Sequence, residues 1–167
     1  MIVTIWRHGE AGRAQSDRLR ELNGTGMDDV GFGCHQFHDV CHTRKIPAPE
    51  LVLHSPWVRT TQTADIVSSV FTHALQRELV ALHPGSDMQA VDAALIDLTT
   101  AEPELRHVVL VSHQPLVSCL VAHYLGENDG VPSLSPGALV TLDLDVPAPA
   151  CGRLLFWALP PEYDASI

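Results

Sequence analysis

The chain has 167 residues, 46% of them hydrophobic, which is the size of one domain and enough apolar material for a single continuous core. Twenty acidic against ten basic side chains leave a formal net charge of −10, which argues against nucleic-acid binding, because an extended grip on a polyanion is built from massed Lys and Arg. No stretch is apolar over a membrane-spanning length and Met1 to Trp6 carries no basic leader, so a soluble, cytoplasmic protein with no membrane partner is expected.

In chain order, Ile2 to Trp6 is an apolar, β-branched run too short for a helix and reads as a buried strand. Val30, Cys34, Phe37 and Cys41 recur at spacings of three and four, which predicts a helix with one apolar stripe. Gly31 and Gly33 each weaken that helix by roughly 1 kcal/mol relative to alanine, so its start is placed near Met27. Leu51 to Leu53 is a second strand, and Ala64, Val67, Phe71 and Ala74 mark a second helix. Met88, Val91, Leu95 and Leu98 mark a third, Val108 to Val111 is a further strand, and a helix beginning near Pro115 carries Cys119. Val140, Leu142, Leu144 and Val146 alternate with Thr141, Asp143 and Asp145, the pattern of a half-buried strand. Leu154 to Leu159 supplies one more, paired antiparallel with it through the Pro-rich loop Pro147 to Gly152.

Inner strands of near-continuous apolarity are what a parallel sheet covered on both faces requires. The fold expected is therefore α/β, a three-layer α/β/α sandwich with a mostly parallel central sheet and an antiparallel C-terminal edge hairpin. It occupies residues 1–160 as one domain, with 161–167 a frayed tail after Pro160. Cys34, Cys41, Cys119 and Cys151 form no C-x-x-C pair and read as free thiols.

Three predicted strands run straight into polar residues and then a helix. Trp6 leads into Arg7-His8-Gly9-Glu10, Leu53 into His54-Ser55-Pro56-Trp57-Val58-Arg59, and Val111 into Ser112-His113-Gln114-Pro115. Ligands of open α/β sheets bind beyond the carboxyl ends of the strands, so these three junctions can converge in space. Ser55 suits a helix N-cap and Pro56 and Pro115 a first helical position, which sets helix N-termini, favourable to anions, around the same crevice. Arg7 and Arg59 add planar forks that bind phosphate oxygens in pairs, and Gly9 lets the backbone turn and a substrate approach closely. Two arginines and two histidines at strand ends point to phosphoryl chemistry. The remaining histidines have the plainer reading: His54, His73, His83, His107 and His123 as core or surface, and His35, His38 and His42 as a solvated helix face rather than a metal site.

Arg7-His8-Gly9-Glu10 resembles the R-H-G signature of the histidine phosphatase superfamily, the phosphoglycerate mutase-like proteins. Further matches follow in the family's order: Arg20-x-Leu22-Asn23-x-x-Gly26, then Ser55-Pro56-x-x-Arg59-x-x-Gln62-Thr63-Ala64, then Val111-Ser112-His113. Ser16-Asp17, Pro84-Gly85-x-Asp87 and Ser112-His113-x-Pro115-Leu116-Val117 make the chain most similar to the small SixA-type phosphohistidine phosphatases. Two departures are Asn23, where the family usually has threonine, and the His-rich stretch between Gly26 and Pro47.

The resemblance implies that His8 attacks phosphorus, that Arg7, Arg59 and His113 bind the phosphoryl group, and that no metal or cofactor takes part. It places Gly9, Glu10, Arg20 and Ser55 among the substrate contacts. Larger relatives use a carboxylate to protonate an alcohol leaving group, and here Glu78, Asp87 and Glu10 are not separable by pattern. A phosphohistidine leaving group needs less help once its ring is protonated. The implied partner is therefore a phosphohistidine-bearing protein, such as a phosphorelay or phosphotransfer domain. The alternatives are a broad-specificity phosphomonoesterase acting on small phosphorylated metabolites, or a phosphate-binding module without catalysis.

Overall fold

A computed structural model describes residues 1–126 and 130–167. The elements run β1 (Ile2–Arg7), α1 (Gly24–Arg44), β2 (Leu51–His54), α2 (Val58–Val70), β3 (Leu75–Glu78), α3 (Met88–Ala101), β4 (His107–Ser112), α4 (Leu116–Leu125), β5 (Leu139–Leu144) and β6 (Gly152–Ala158). One six-stranded sheet takes the order β3-β2-β4-β1-β5-β6. β1, β2, β3 and β4 are mutually parallel, while β5 runs antiparallel to β1 and β6 antiparallel to β5. The three-layer architecture and the edge hairpin expected from the sequence are those observed.

Alternation along the inner strands builds both faces. Val3 and Ile5 of β1 and Val108 and Leu110 of β4 point into a core closed by Val91 and Leu95 of α3 and Val117, Leu120 and Val121 of α4. Trp6, Val109 and Val111 point the other way, against Val30, Cys34 and Phe37 of α1 and Ala64 and Val67 of α2. On that second face Thr4, Thr141 and His107 are buried together; the Thr4 hydroxyl lies 2.9 Å from His107 Nε2 and from Thr141 Oγ1. His107 Nδ1 donates to the Pro47 carbonyl at 2.6 Å, and burial holds its pKa down at about 4. It is a neutral core histidine, in keeping with its plain reading.

Several expectations are corrected. α1 begins at Gly24 rather than near Met27, because the Asn23 side chain caps it by accepting from the Gly26 N–H at 2.8 Å. β3, Leu-Gln-Arg-Glu, has too little apolar pattern to be legible, being an exposed edge strand held by backbone pairing to β2. β5 stops at Leu144, so Val146, assigned to the strand, is exposed beyond it. Residues 161–167 are no frayed tail: Trp157 and Ser166 exchange backbone hydrogen bonds, and Tyr163 is 2% exposed with its hydroxyl donating to the Gly137 carbonyl. Gly33 of α1 is required by this packing, since a Cβ there would run into the Tyr163 ring.

Candidate active site

The carboxyl ends of β1, β2 and β4 open onto one cavity of about 270 Å³. Arg7, His8, Arg59 and His113 line it, so residues up to 106 positions apart in sequence meet as the strand order requires. Register fixes the backbone beneath them: the His8 N–H donates to the Ser112 carbonyl at 3.0 Å, and the Gly137 N–H donates to the His8 carbonyl at 2.9 Å.

The His8 ring has one orientation and one tautomer. Its Nδ1–H donates to the Gly9 carbonyl at 2.7 Å, which leaves the lone pair on Nε2, and that lone pair accepts the Arg59 Nε–H at 3.0 Å. The Gly9 N–H is in turn tied to Thr63 Oγ1, whose hydroxyl donates to the Arg59 carbonyl at 2.8 Å, so the His8 turn and Arg59 are joined through α2. Burial, first, and then the charges of Arg59, Arg7 and Arg20 hold the His8 pKa at about 4 against the opposing pull of the Gly9 carbonyl. Loss of water is a larger cause of this ring's neutrality than the arginines.

His113 lies with its ring centroid 5.1 Å from that of His8 and 5.1 Å from that of Trp57. Its Nε2 is 2.7 Å from Ser55 Oγ, which is itself 2.7 Å from Thr60 Oγ1. Thr60 Oγ1 sits 2.9 Å from the Ser55 carbonyl and 2.8 Å from the Trp57 carbonyl, which only accept, so it spends its proton there. The Ser55 hydroxyl then donates to Thr60, and His113 Nε2–H donates to Ser55. Nδ1 of His113 is left buried without a partner among the described residues, as is Nε of Arg7. Such atoms cost stability unless a ligand satisfies them. Burial, followed by His8 and Arg59, lowers the His113 pKa to about 3, so the ring is neutral until an anion arrives.

The other predicted residues divide. Glu10 and Arg20 line the cavity, Glu10 accepting from Asn23 Nδ2 at 2.6 Å. Asn23 therefore serves as acceptor to α1 and donor to Glu10, a double role that threonine with its single hydroxyl fills less well. Gly9, expected as a substrate contact, is not among the cavity residues; what approaches it closely is α1, since a Cβ on it would meet the Gly26 carbonyl oxygen at 2.8 Å. Ser55, expected as a substrate contact and helix cap, is fully buried and holds His113 instead, while α2 starts after Trp57. Neither Glu78 nor Asp87 is among the cavity residues; Glu78 ends the exposed strand β3, and the Asp87 carboxylate caps α3 by accepting from the Ala90 N–H at 2.8 Å.

One contributor has no place among the expected contacts. Asp17, in a short 3-10 turn Asp17–Leu19, joins the cavity wall and binds both neighbouring arginines. Its Oδ1 accepts from Arg20 Nη1 at 3.0 Å, its Oδ2 from Arg59 Nη2 at 3.2 Å and its carbonyl from Arg59 Nη1 at 2.6 Å. The pairing Ser16-Asp17 ahead of Arg20 was the signal that it belonged to the site. Among the described residues no group of three His, Cys, Asp or Glu side chains is placed to hold a metal ion, and His35, His38 and His42 lie exposed on α1.

A parallel-sheet cavity with a histidine between arginines at a strand end defines a phosphoryl-handling enzyme fold. Comparison with models of protein families finds no match. A solved structure of the protein histidine phosphatase SixA complexed with tungstate is 30% identical, with a TM-score of 0.77, covering 96% of this chain and 97% of that one. The phosphohistidine phosphatase SixA homolog of Haemophilus influenzae is 27% identical over 144 residues, 85% of this chain and 87% of that protein. A mycobacterial glucosyl-3-phosphoglycerate phosphatase shares the fold, with a TM-score of 0.70 at 19% identity over 95% of this chain and 99% of that one. The chain belongs to the histidine phosphatase superfamily, and within it is of the SixA type. It is a phosphatase.

Proposed function

We propose that the chain removes phosphate from phosphohistidine on a signalling protein by two in-line displacements through His8, with charge stabilisation supplied by Arg7, Arg59 and His113 and no metal ion required. The observation that carries this reading is the Gly9 carbonyl fixing the His8 proton on Nδ1, which leaves the lone pair on a neutral Nε2 beside a cavity lined by Arg7 and Arg59; that lone pair is held by the Arg59 Nε–H, and attack requires Arg59 to exchange it for a phosphoryl oxygen. In the first step a bond forms from His8 Nε2 to phosphorus, the bond from phosphorus to the substrate's ring nitrogen breaks, and the electron pair leaves with that imidazole. Water then attacks the phosphorus, the bond to His8 breaks, and inorganic phosphate departs with the protons of water.

Phosphoryl transfer is served by positioning and by charge on the equatorial oxygens. The unpartnered Arg7 Nε–H and, once protonated beside the anion, His113 Nδ1–H are suited to that task. The substrate class rests on the leaving group. With Glu78 and Asp87 outside the cavity, Glu10 is the one of the three candidate acids that lines it, and its carboxylate accepts from Asn23 Nδ2 at 2.6 Å; a leaving imidazole that already carries its second proton needs no such acid and is better served than an alkoxide.

The test offers the purified protein and His8→Ala a phosphohistidine-bearing domain and a panel of phosphomonoesters in the presence of a chelator, with mass spectrometry for an acid-labile phosphoenzyme. Rapid loss of phosphohistidine and a phosphorylated His8 are expected, with neither in the variant. Equal turnover by His8→Ala refutes the mechanism; turnover of phosphomonoesters alone refutes the substrate class and favours the small-metabolite alternative.

A further inference from the structure

Two carboxylates line the anion pocket: Glu10 is held by Asn23 at its rim, whereas Asp17 sits on the arginines themselves and needs a reason. Asp17 engages two arginines that a phosphoryl group could use and adds a negative charge to the cavity wall, both of which weaken the hold on phosphate. We propose that Asp17 selects the leaving group: its carboxylate, braced by Arg20 and Arg59, accepts a hydrogen bond from the second ring N–H of the phosphohistidine that His8 attacks. This rests on the phosphohistidine reading of the site.

Three features place it there. Arg59 spans the distance between nucleophile and carboxylate, with Nε on His8 Nε2 at 3.0 Å and Nη2 on Asp17 Oδ2 at 3.2 Å, so Asp17 stands one guanidinium out from the attacking atom. An imidazole phosphorylated on one nitrogen carries its other N–H across the ring, outward from phosphorus on a similar scale. The Asp17 side chain is also 56% exposed, so its oxygens keep lone pairs free beyond those taken by the two arginines.

The chemistry agrees. The hydrogen bond from Arg20, with the charge of Arg59, holds the Asp17 carboxyl below the usual carboxylate range, so near neutral pH it is an acceptor with no proton to give an alkoxide. It favours the protonated phosphoimidazole ring, since an adjacent opposite charge stabilises the cation. The ring then leaves as neutral imidazole, taking the electron pair of the broken bond to phosphorus and keeping its N–H, with no proton transferred to or from Asp17.

The experiment compares wild type with Asp17→Asn and Asp17→Ala on two substrates, N-phosphorylated histidine and p-nitrophenyl phosphate, whose phenolate has no N–H to donate. Loss of a charge-assisted hydrogen bond is expected to lower the ratio of kcat/KM for phosphohistidine over aryl phosphate by about tenfold or more. The aryl phosphate value itself rises, and inorganic phosphate inhibits the variants more strongly, as a negative charge has been removed. A parallel fall on both substrates, or an unchanged ratio, overturns the proposal and makes Asp17 a brace for Arg59 only. If wild type turns over the aryl phosphate and not phosphohistidine, the reading of function has failed, which is visible before any variant is compared.

Discussion

His8 offers the sharpest physical test, because its proton affinity is written into stability and, in the mechanism proposed, into catalysis as well. Burial and the neighbouring arginines take its pKa from 6.5 to about 4 in the folded chain. Between those values the unfolded chain binds a proton that the folded chain does not, so the contribution of His8 to stability falls as pH drops below 6.5, is fully lost below about 4, and is flat above 6.5. At pH 5.5, one unit below the ordinary value, the loss is about 1.4 kcal/mol. His8→Asn keeps a donor for the Gly9 carbonyl but has no such titration. Urea unfolding of both proteins at pH 8 and pH 5.5 should therefore move the stability difference by about 1.4 kcal/mol in favour of the variant at the lower pH. His107, also neutral and buried, loses stability over the same range in both proteins and cancels in the comparison; His113, whose pKa burial lowers first and His8 second, cancels as long as burial keeps its ring neutral at pH 5.5 in the variant. A difference that does not change with pH would show that His8 keeps an ordinary proton affinity, and the argument for a nucleophile kept neutral by burial would fall with it.

Arg59→Lys keeps the charge but loses the fork that reaches His8 and Asp17 and the stacking at 4.6 Å on Trp57, and kcat/KM should drop by about 10²–10³, with a lowered melting temperature from the buried hydrogen bonds lost. Ser55→Ala strands the buried His113 Nε2–H, so a cost of about 1–3 kcal/mol is expected in unfolding measurements, with a shift in the ¹⁵N signals that report the His113 tautomer; wild-type signals in the variant would contradict the hydroxyl chain described above. Tyr163→Ala, distant from the chemistry, should cost about 3 kcal/mol of stability in chemical denaturation and leave the pH profile of catalysis in place.

The fold was legible where a strand or helix had to be buried and dim where backbone pairing did the work. Ile2 to Trp6 and Val108 to Val111 are apolar on both sides because helices cover both faces, and that pattern reads directly. β3 has no such constraint: its Leu75 is 57% exposed, and only the ladder to β2 makes it a strand. The C-terminal segment was misjudged for a related reason, since the only clue to its packing was a glycine, Gly33, on a helix more than a hundred residues away. In the site, the convergence of Arg7, His8, Arg59 and His113 on one cavity was readable, because each lies at or just beyond a strand's carboxyl end. Ser55 was not, because a hydroxyl reads alike whether it faces substrate or, as here, a histidine, and Asp17 was not, because its role depends on the turn that brings it to two arginines.

The charge distribution bears on the same question. A net charge of −10 repels an anionic substrate, yet Arg7, Arg13, Arg18, Arg20 and Arg59, half of the ten basic residues, lie in the cavity or on the loop that forms its wall. Screening confines exposed charges to about 8 Å at physiological ionic strength, so a substrate at the cavity mouth senses these arginines rather than the distant carboxylates. Inside, loss of water strengthens each remaining interaction, and a small number of cations dominates. The same confinement explains why a carboxylate matters: in so small a cavity Asp17, with Glu10, offsets a large share of the positive field, and under the role proposed for Asp17 the pocket gives up affinity for phosphate in general in exchange for an acceptor aimed at one kind of leaving group.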